Sequence, residues 1–308
     1  LEDRIRFTSY TDQFSRTSCS LSYSVKEMKT THPILLALAA IILWSTLALA
    51  GSGLQEIPRF LLLGVALTTS GLTSLVRRNG WKIPIRVFLV GVGGIFGYHW
   101  LYFTAFAQAP AVETNLLNYL WPLLIVILSP LILPGSPLKA RQILGALLGL
   151  VGATLIISQG KMKLDEVYLP GYLAAVGAAL TWALYSLLTK RLTPFPTDAI
   201  GVFCLISGIL SLGIYFLSGG STVELAAIRP EEWIFLVLVG IGPMGAAFFF
   251  WDAALKGGDP RVIGSLAYLT PLLSTLNLMA FAGQKLTGIS FLAMFLIILG
   301  AVLGTRKT

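Results

Sequence analysis

Tyr102–Leu124 reads YFTAFAQAPAVETNLLNYLWPLL, and Trp251–Leu273 reads WDAALKGGDPRVIGSLAYLTPLL. The two stretches overlie without a gap, each position displaced by 149 (102 to 251). Identities fall at Ala105/Ala254, Leu117/Leu266, Tyr119/Tyr268, Leu120/Leu269, Pro122/Pro271, Leu123/Leu272 and Leu124/Leu273. One residue of slip in the loop that follows also brings Gly152-Ala153 onto Gly300-Ala301. Part of this likeness is shared apolar composition. A shared Tyr-Leu-x-Pro-Leu-Leu, with proline inside an apolar run, is harder to obtain that way. The chain therefore reads as a duplicated unit. If each unit holds an odd number of membrane spans, the two are inserted upside down relative to one another, as in many secondary transporters.

Bulk composition agrees with a membrane protein. Hydrophobic residues make up 56% of the chain, charged residues 12%, and mean hydropathy is +0.81. A soluble domain carries roughly twice that charged fraction. Apolar runs of about 20 residues, enough to cross a bilayer, occur at 33–51, 58–76, 84–107, 112–133, 140–158, 169–189, 197–217, 231–254, 261–282 and 288–304. Five precede the polar break around Lys161–Glu166 and five follow it. The expected fold is an all-α integral membrane protein, with ten transmembrane helices as two inverted five-helix repeats. A polar cytoplasmic tail (1–32) precedes a first repeat (33–158) and a second, inverted repeat (169–304).

Charge placement sets the expected orientation. With the N-terminus inside, 17 of the 22 Lys and Arg fall in cytoplasmic segments; only Arg59, Lys161, Lys163, Arg229 and Lys285 fall outside. By the positive-inside rule both termini are expected in the cytoplasm and the Lys161–Glu166 loop outside. The same bias accounts for the net charge of +8 without nucleic acid, since no basic soluble domain is left over. The lipid bilayer is the expected macroscopic partner, and a monomer the expected state.

Cys19 and Cys204 lie in the tail and in the seventh span, so no structural disulfide is expected. His32 and His99 are the only histidines, which leaves no metal-ligand cluster, and no cofactor motif is visible. The first thirty residues are polar and aperiodic and read as a disordered tail, with Met28-Lys29 as a candidate natural start. Ala48-Leu49-Ala50-Gly51 resembles a signal-peptidase site. Against cleavage, the run from Pro33 is longer than a signal core, and nine remaining spans would break the five-plus-five division.

Pro122 and Pro271 sit near the centres of spans four and nine. Each removes a backbone donor at membrane depth. Helices broken at corresponding places in both halves point to a transport pathway and to hinges. In span three, His99 is the only histidine within a span, and burial against lipid would be unfavourable for it. Tyr98, Tyr102 and Phe106 share one face with His99 at its border; Phe103 and Phe106 read as packing. Span four supplies Asn115, Asn118, Tyr119 and Trp121 around its proline. Trp44 and Trp182 stand mid-span in spans one and six, too deep for an interfacial belt, and Tyr268 is the second-half equivalent of Tyr119. The expected substrate-binding set is thus His99, Tyr98, Tyr102, Tyr119, Trp121, Trp44, Trp182 and Tyr268. Such a cavity could stack apolar or aromatic groups and attract an ammonium.

Absences narrow the function. No Asp or Glu lies at the middle of a span, so a carboxylate relay for proton coupling is not visible. No Lys or Arg lies there either, which disfavours phosphate-bearing substrates. Paired catalytic groups and Gly-x-Ser-x-Gly are lacking, so an enzyme is not expected. The spacings Gly145/Gly149/Gly152 and Gly300/Gly304 read as close helix contacts.

The chain resembles the drug/metabolite transporter superfamily, in its EamA-type ten-span branch, from about Pro33 to Gly304. The most distinctive block is Tyr98-His99-Trp100-Leu101-Tyr102-Phe103, followed by Ala109-Pro110-Ala111-Val112-Glu113 and Tyr119-Leu120-Trp121-Pro122-Leu123-Leu124. These look like the YddG-type aromatic amino-acid exporters of bacterial inner membranes. Trp182-Ala183-Leu184-Tyr185-Ser186 is typical of EamA repeats generally. A Gly-Glu stretch common between the last two helices of each half is replaced here by Pro134-Gly135-Ser136-Pro137 and Gly283-Gln284-Lys285. The resemblance implies export of amino acids, aromatic and other neutral ones favoured, across the inner membrane by alternating access. The missing carboxylates suggest facilitated diffusion. The alternatives are a multidrug or other small-metabolite exporter, for which span one lacks the carboxylate of small multidrug pumps, and a non-transporting structural or signalling membrane protein.

Overall fold

Proline and glycine punctuate nearly every helix in this chain. A computed structural model describes residues 33–305 apart from 48, 50–53, 55, 136, 162, 193 and 284–286. All described residues belong to one unit, 32–308. The expected tail over 1–32, with Cys19 and His32, lies outside the described residues, as do Ser136, Gln284, Lys285 and most of the Ala48–Gly51 site.

The described residues are helical, without strands. In chain order the main helices are α1 (Pro33–Ser45), α2 (Arg59–Gly71), α3 (Ile85–Gln108), α4 (Ala111–Asn118), α5 (Leu120–Ile132), α6 (Ala140–Ser158) and α7 (Leu169–Arg191). They continue as α8 (Ala199–Leu217), α9 (Pro230–Ile241), α10 (Ala247–Gly257), α11 (Pro260–Ala267), α12 (Leu269–Ala282) and α13 (Gly288–Thr305). Pro230 and Pro260 open α9 and α11 at their first turn, where the missing N–H is one of the helix's free donors anyway. Asp259 caps α11 by accepting from the Arg261 N–H at 2.9 Å. Gly283 ends α12 in the left-handed region, at φ 68°.

Among the described residues, nine segments are long and apolar enough to cross a membrane. The first expected span, 33–51, is helical over Pro33–Ser45, a shorter apolar helix. The spans of the two halves interleave: α2 lies on α8, α5 on α11, α6 on α13, α1 on α10 and α3 on α7. α6 and α13 cross closely: a Cβ on Gly145 would stand 2.7 Å from the Gly300 carbonyl. Gly300 would in turn place one 2.5 Å from the Gly145 carbonyl, so these glycines are what lets the backbones touch. Large apolar side chains such as Leu35, Leu131, Phe291 and Phe295 are exposed around the outside. Lipid, rather than water, suits such a surface.

Candidate functional site

Among the described residues, three long apolar segments lose their regular hydrogen-bond ladder at a proline. Pro122 has no N–H for the Asn118 carbonyl, and the helix breaks at Tyr119 between α4 and α5. Pro271 does the same to Ala267, and the break falls at Tyr268 between α11 and α12. Pro243 has no N–H for Val239, and the five residues Gly242–Ala246 form a π-turn between α9 and α10. Gly245 is required within it, since a Cβ there would lie 2.2 Å from the Gly240 carbonyl. Such widened turns are frequent at functional sites.

The breaks converge on a cavity of about 430 Å³, within the range of small-molecule sites. Its aromatic floor is a cluster around Trp44, whose ring centroid lies 6.1 Å from Trp121, 5.9 Å from Trp182 and 6.3 Å from Phe248. One wall is the α3 face: Tyr98, His99, Tyr102 and Phe103. Tyr98 stacks on Tyr102 at 5.7 Å and leans on Trp182 at 5.0 Å. Asn115, Asn118 and Tyr119 line it from α4 and the break after it, and Thr270 and Ser274 from α12. Among the described lining residues no Asp, Glu, Lys or Arg occurs.

The lining is drawn from the ends of the helices nearest the 46–58 and 109–110 connections, including Leu47, Leu54 and Leu62. Towards the opposite ends the interior is filled. Trp251, tilted against Trp44 with ring centroids 5.1 Å apart, donates its indole N–H to Ser186 at 3.1 Å. Beyond it the buried Asp252 carboxylate meets the Lys256 ammonium at 2.6 Å and accepts from the Thr197 hydroxyl at 2.8 Å. Lys256 also donates to the Phe195 carbonyl at 3.0 Å and sits 3.6 Å over the Phe195 ring. Lys190 donates to the Leu255 and Gly258 carbonyls, both at 2.6 Å, and so ties off the C-terminus of α10.

Seven of the eight residues expected from the sequence line this cavity: Trp44, Tyr98, His99, Tyr102, Tyr119, Trp121 and Trp182. Tyr268 does not. Its ring is fully buried against α6, where a Cβ on Gly149 would stand 2.5 Å from it. Its hydroxyl accepts from the Leu123 N–H and donates to the Tyr119 carbonyl, each at 3.2 Å. Those two groups would bond one another in an unbroken helix, so Tyr268 is inserted into the ladder that Pro122 disturbs. Phe248, Pro243, Met244, Thr270 and Ser274 also line the cavity and were not read from the sequence. The run Gly240-Ile241-Gly242-Pro243-Met244-Gly245 was their visible signal. The 149-residue displacement, carried back to the Tyr98 block, offered another: Phe248 stands where the first half has His99, and Thr270 where it has Trp121.

A polytopic helical protein with broken helices around an uncharged aromatic cavity belongs to the class of membrane transporters. The chain belongs to the EamA-like transporter family, which matches residues 31–158 and 169–306. It is similar to the aromatic amino acid exporter YddG of Ancylobacter novellus, 39% identical over 287 residues covering 90% of this chain and 98% of that one. It is also similar to the threonine/homoserine exporter RhtA of Salmonella typhimurium, at 24% identity over 73% of both chains. A solved crystal structure 38% identical in sequence superposes with a TM-score of 0.82, over 89% of this chain and 95% of the other.

Proposed function

We propose that this protein exports amino acids across the bacterial inner membrane, with aromatic and other neutral side chains favoured. The observation that carries this reading is the 430 Å³ cavity, aromatic on its floor, uncharged in its described lining, and set among three proline-broken helices. Side chains such as those of phenylalanine and tryptophan match a tryptophan-lined floor. The substrate set is Trp44, Tyr98, His99, Tyr102, Tyr119, Trp121 and Trp182, joined by Phe248 and Thr270. The names of the two exporter relatives, one for aromatic amino acids and one for threonine and homoserine, support the substrate class.

The proposed architecture is ten spans in two inverted halves, 33–158 and 169–304, with α1 in the first span. Interleaved packing of α2 on α8, α5 on α11 and α6 on α13 supports an approximate two-fold relation. Both termini face the cytoplasm in this reading, so the cavity faces outward and the Asp252–Lys256 cluster closes the inner side. Pro122 and Pro271 are the hinges of alternating access. Transport is facilitated diffusion, since the described lining holds no carboxylate to carry a proton. The lack of a carboxylate also disfavours a multidrug-cation exporter.

Flux of a radiolabelled amino-acid panel in proteoliposomes, with and without imposed ion gradients, tests the function. Downhill flux of phenylalanine and tryptophan without an ion gradient is expected. Uphill accumulation driven by a pH jump would contradict facilitated diffusion, and no amino-acid flux would contradict the export reading. For orientation, a cysteine replacing exposed Glu166 should react in intact cells with an impermeant thiol reagent.

A further inference from the structure

We propose that the connection between α2 and α3 holds an anionic phospholipid, with its phosphate on the Arg78 guanidinium and its acyl chains against the apolar surface around Leu75 and Trp81.

Arg77, Arg78, Lys82 and Arg86 fall within ten residues, and no Asp or Glu occurs between Glu56 and Glu113. All four basic side chains are exposed. Arg77 is matched by Asp198 at 3.1 Å. Among the described residues, the side chains of Arg78, Lys82 and Arg86 make no hydrogen bond or ion pair. The excess positive charge of this connection is therefore left for a partner outside the protein.

The same stretch has a fixed shape. A helical turn over Thr73–Val76 and a 3-10 turn over Arg78–Trp81 follow α2. The second turn is pinned against the start of α8, since a Cβ on Gly80 would strike the Asp198 carbonyl. The Trp81 indole N–H donates to the Ser74 carbonyl at 3.1 Å and ties the two turns together. A cleft of about 280 Å³ lies there, lined by Ser74, Leu75, Arg78 and Trp81.

The charge calls for an anion, and the surroundings set its class. Leu72, Val76, Ile85 and Leu89, on the helix ends that flank the cleft, are exposed, a surface suited to lipid. An indole ring sits well at the boundary of headgroup and acyl chain, and the planar guanidinium matches phosphate oxygens. A soluble phosphate would use the cation and leave the apolar walls wet, whereas a lipid phosphate covers both. A zwitterionic headgroup would bring its own ammonium among these basic residues, so a net-negative one is favoured. In the orientation proposed above the site faces the cytoplasmic leaflet, where anionic lipid gathers at basic segments beside a span.

Tryptophan quenching in detergent, with phosphatidylglycerol or phosphatidylcholine brominated early in the acyl chains, tests this on the full chain. The quenching that Trp81→Phe removes is the signal from the cleft. In the wild type it should be half-complete at an about fivefold lower mole fraction of the phosphatidylglycerol, the weight of one basic residue near a lipid surface. Arg78→Gln should bring the two lipids to within about twofold, and Arg78→Lys should keep most of the preference. Both residues are exposed, so the packed interior is untouched. If Trp81→Phe does not fold, total quenching of the wild type against Arg78→Gln decides. Equal mole fractions for the two lipids in the wild type, or a preference unchanged in Arg78→Gln, would overturn the proposal. Recovery of fluorescence on adding glycerol 3-phosphate would also overturn it, by showing a soluble-phosphate site. The readout involves no transport, so its result stands apart from the export reading.

Discussion

Tyr119 and Tyr268 are the same residue of a duplicated motif, each three positions before a helix-breaking proline, yet they do different work. Tyr119 lines the cavity. Tyr268 is fully buried and its hydroxyl bridges the break in the other half, between the Leu123 N–H and the Tyr119 carbonyl. The difference lies in what each ring meets. Gly149 leaves a gap on α6 that the Tyr268 ring fills. With the one-residue slip that aligns Gly152 with Gly300, the position matching Gly149 is Ile297, a fully buried side chain on α13. No equivalent gap exists for Tyr119, and its ring is left to the cavity. A shared motif thus fixes where both helices break, while the neighbouring helix decides which break carries a cavity-facing tyrosine.

This contrast can be broken by mutation. The largest effect is expected from Tyr268→Ala, which removes a buried ring together with both bridging hydrogen bonds. A loss of about 3–5 kcal/mol of stability is expected, read as a marked fall in melting temperature in detergent. A near wild-type melting temperature would mean the bridge is incidental. Gly149→Ala comes next. Its methyl group would stand within contact of the Tyr268 ring, and such overpacking costs about 1–3 kcal/mol. If the ring instead moved without cost, the gap would not be what separates the two tyrosines. The smallest effect is expected from Thr270→Val, which removes a hydroxyl without a hydrogen-bond partner at nearly constant volume. Stability should stay within about 0.5 kcal/mol of wild type or rise. A large destabilisation would mark Thr270 as scaffold like Tyr268.

Much of this was legible in the residues themselves. Pro122 and Pro271 announced both central breaks, because proline cannot supply the ladder donor wherever it sits. His99, Tyr98 and Tyr102 pointed to the cavity because polar groups mid-span need a non-lipid environment. Tyr268 was misplaced because the motif is local, whereas the space for its ring is created by Gly149, far away in sequence. Phe248 and Thr270 escaped notice because neither is unusual in an apolar helix. Only the π-turn at Pro243 and the neighbours across the cavity give them a role. The buried Asp252–Lys256 pair lies in the C-terminal half of α10. Its partners Thr197 and Phe195 come from a connection that no local pattern ties to α10.

The most direct measurement of the division of labour is amino-acid flux through Trp121→Ala and Tyr268→Phe in proteoliposomes, at matched reconstitution, across side chains from alanine to tryptophan. Trp121→Ala removes cavity floor, with apolar contact of about 1–3 kcal/mol lost for a bulky side chain. Its flux should fall by about fivefold to a hundredfold for tryptophan and phenylalanine and little for alanine. Tyr268→Phe keeps the ring but unpairs the Leu123 N–H and the Tyr119 carbonyl, so flux should fall by a similar factor for every substrate. Size-dependent losses in Tyr268→Phe, or uniform losses in Trp121→Ala, would contradict the account.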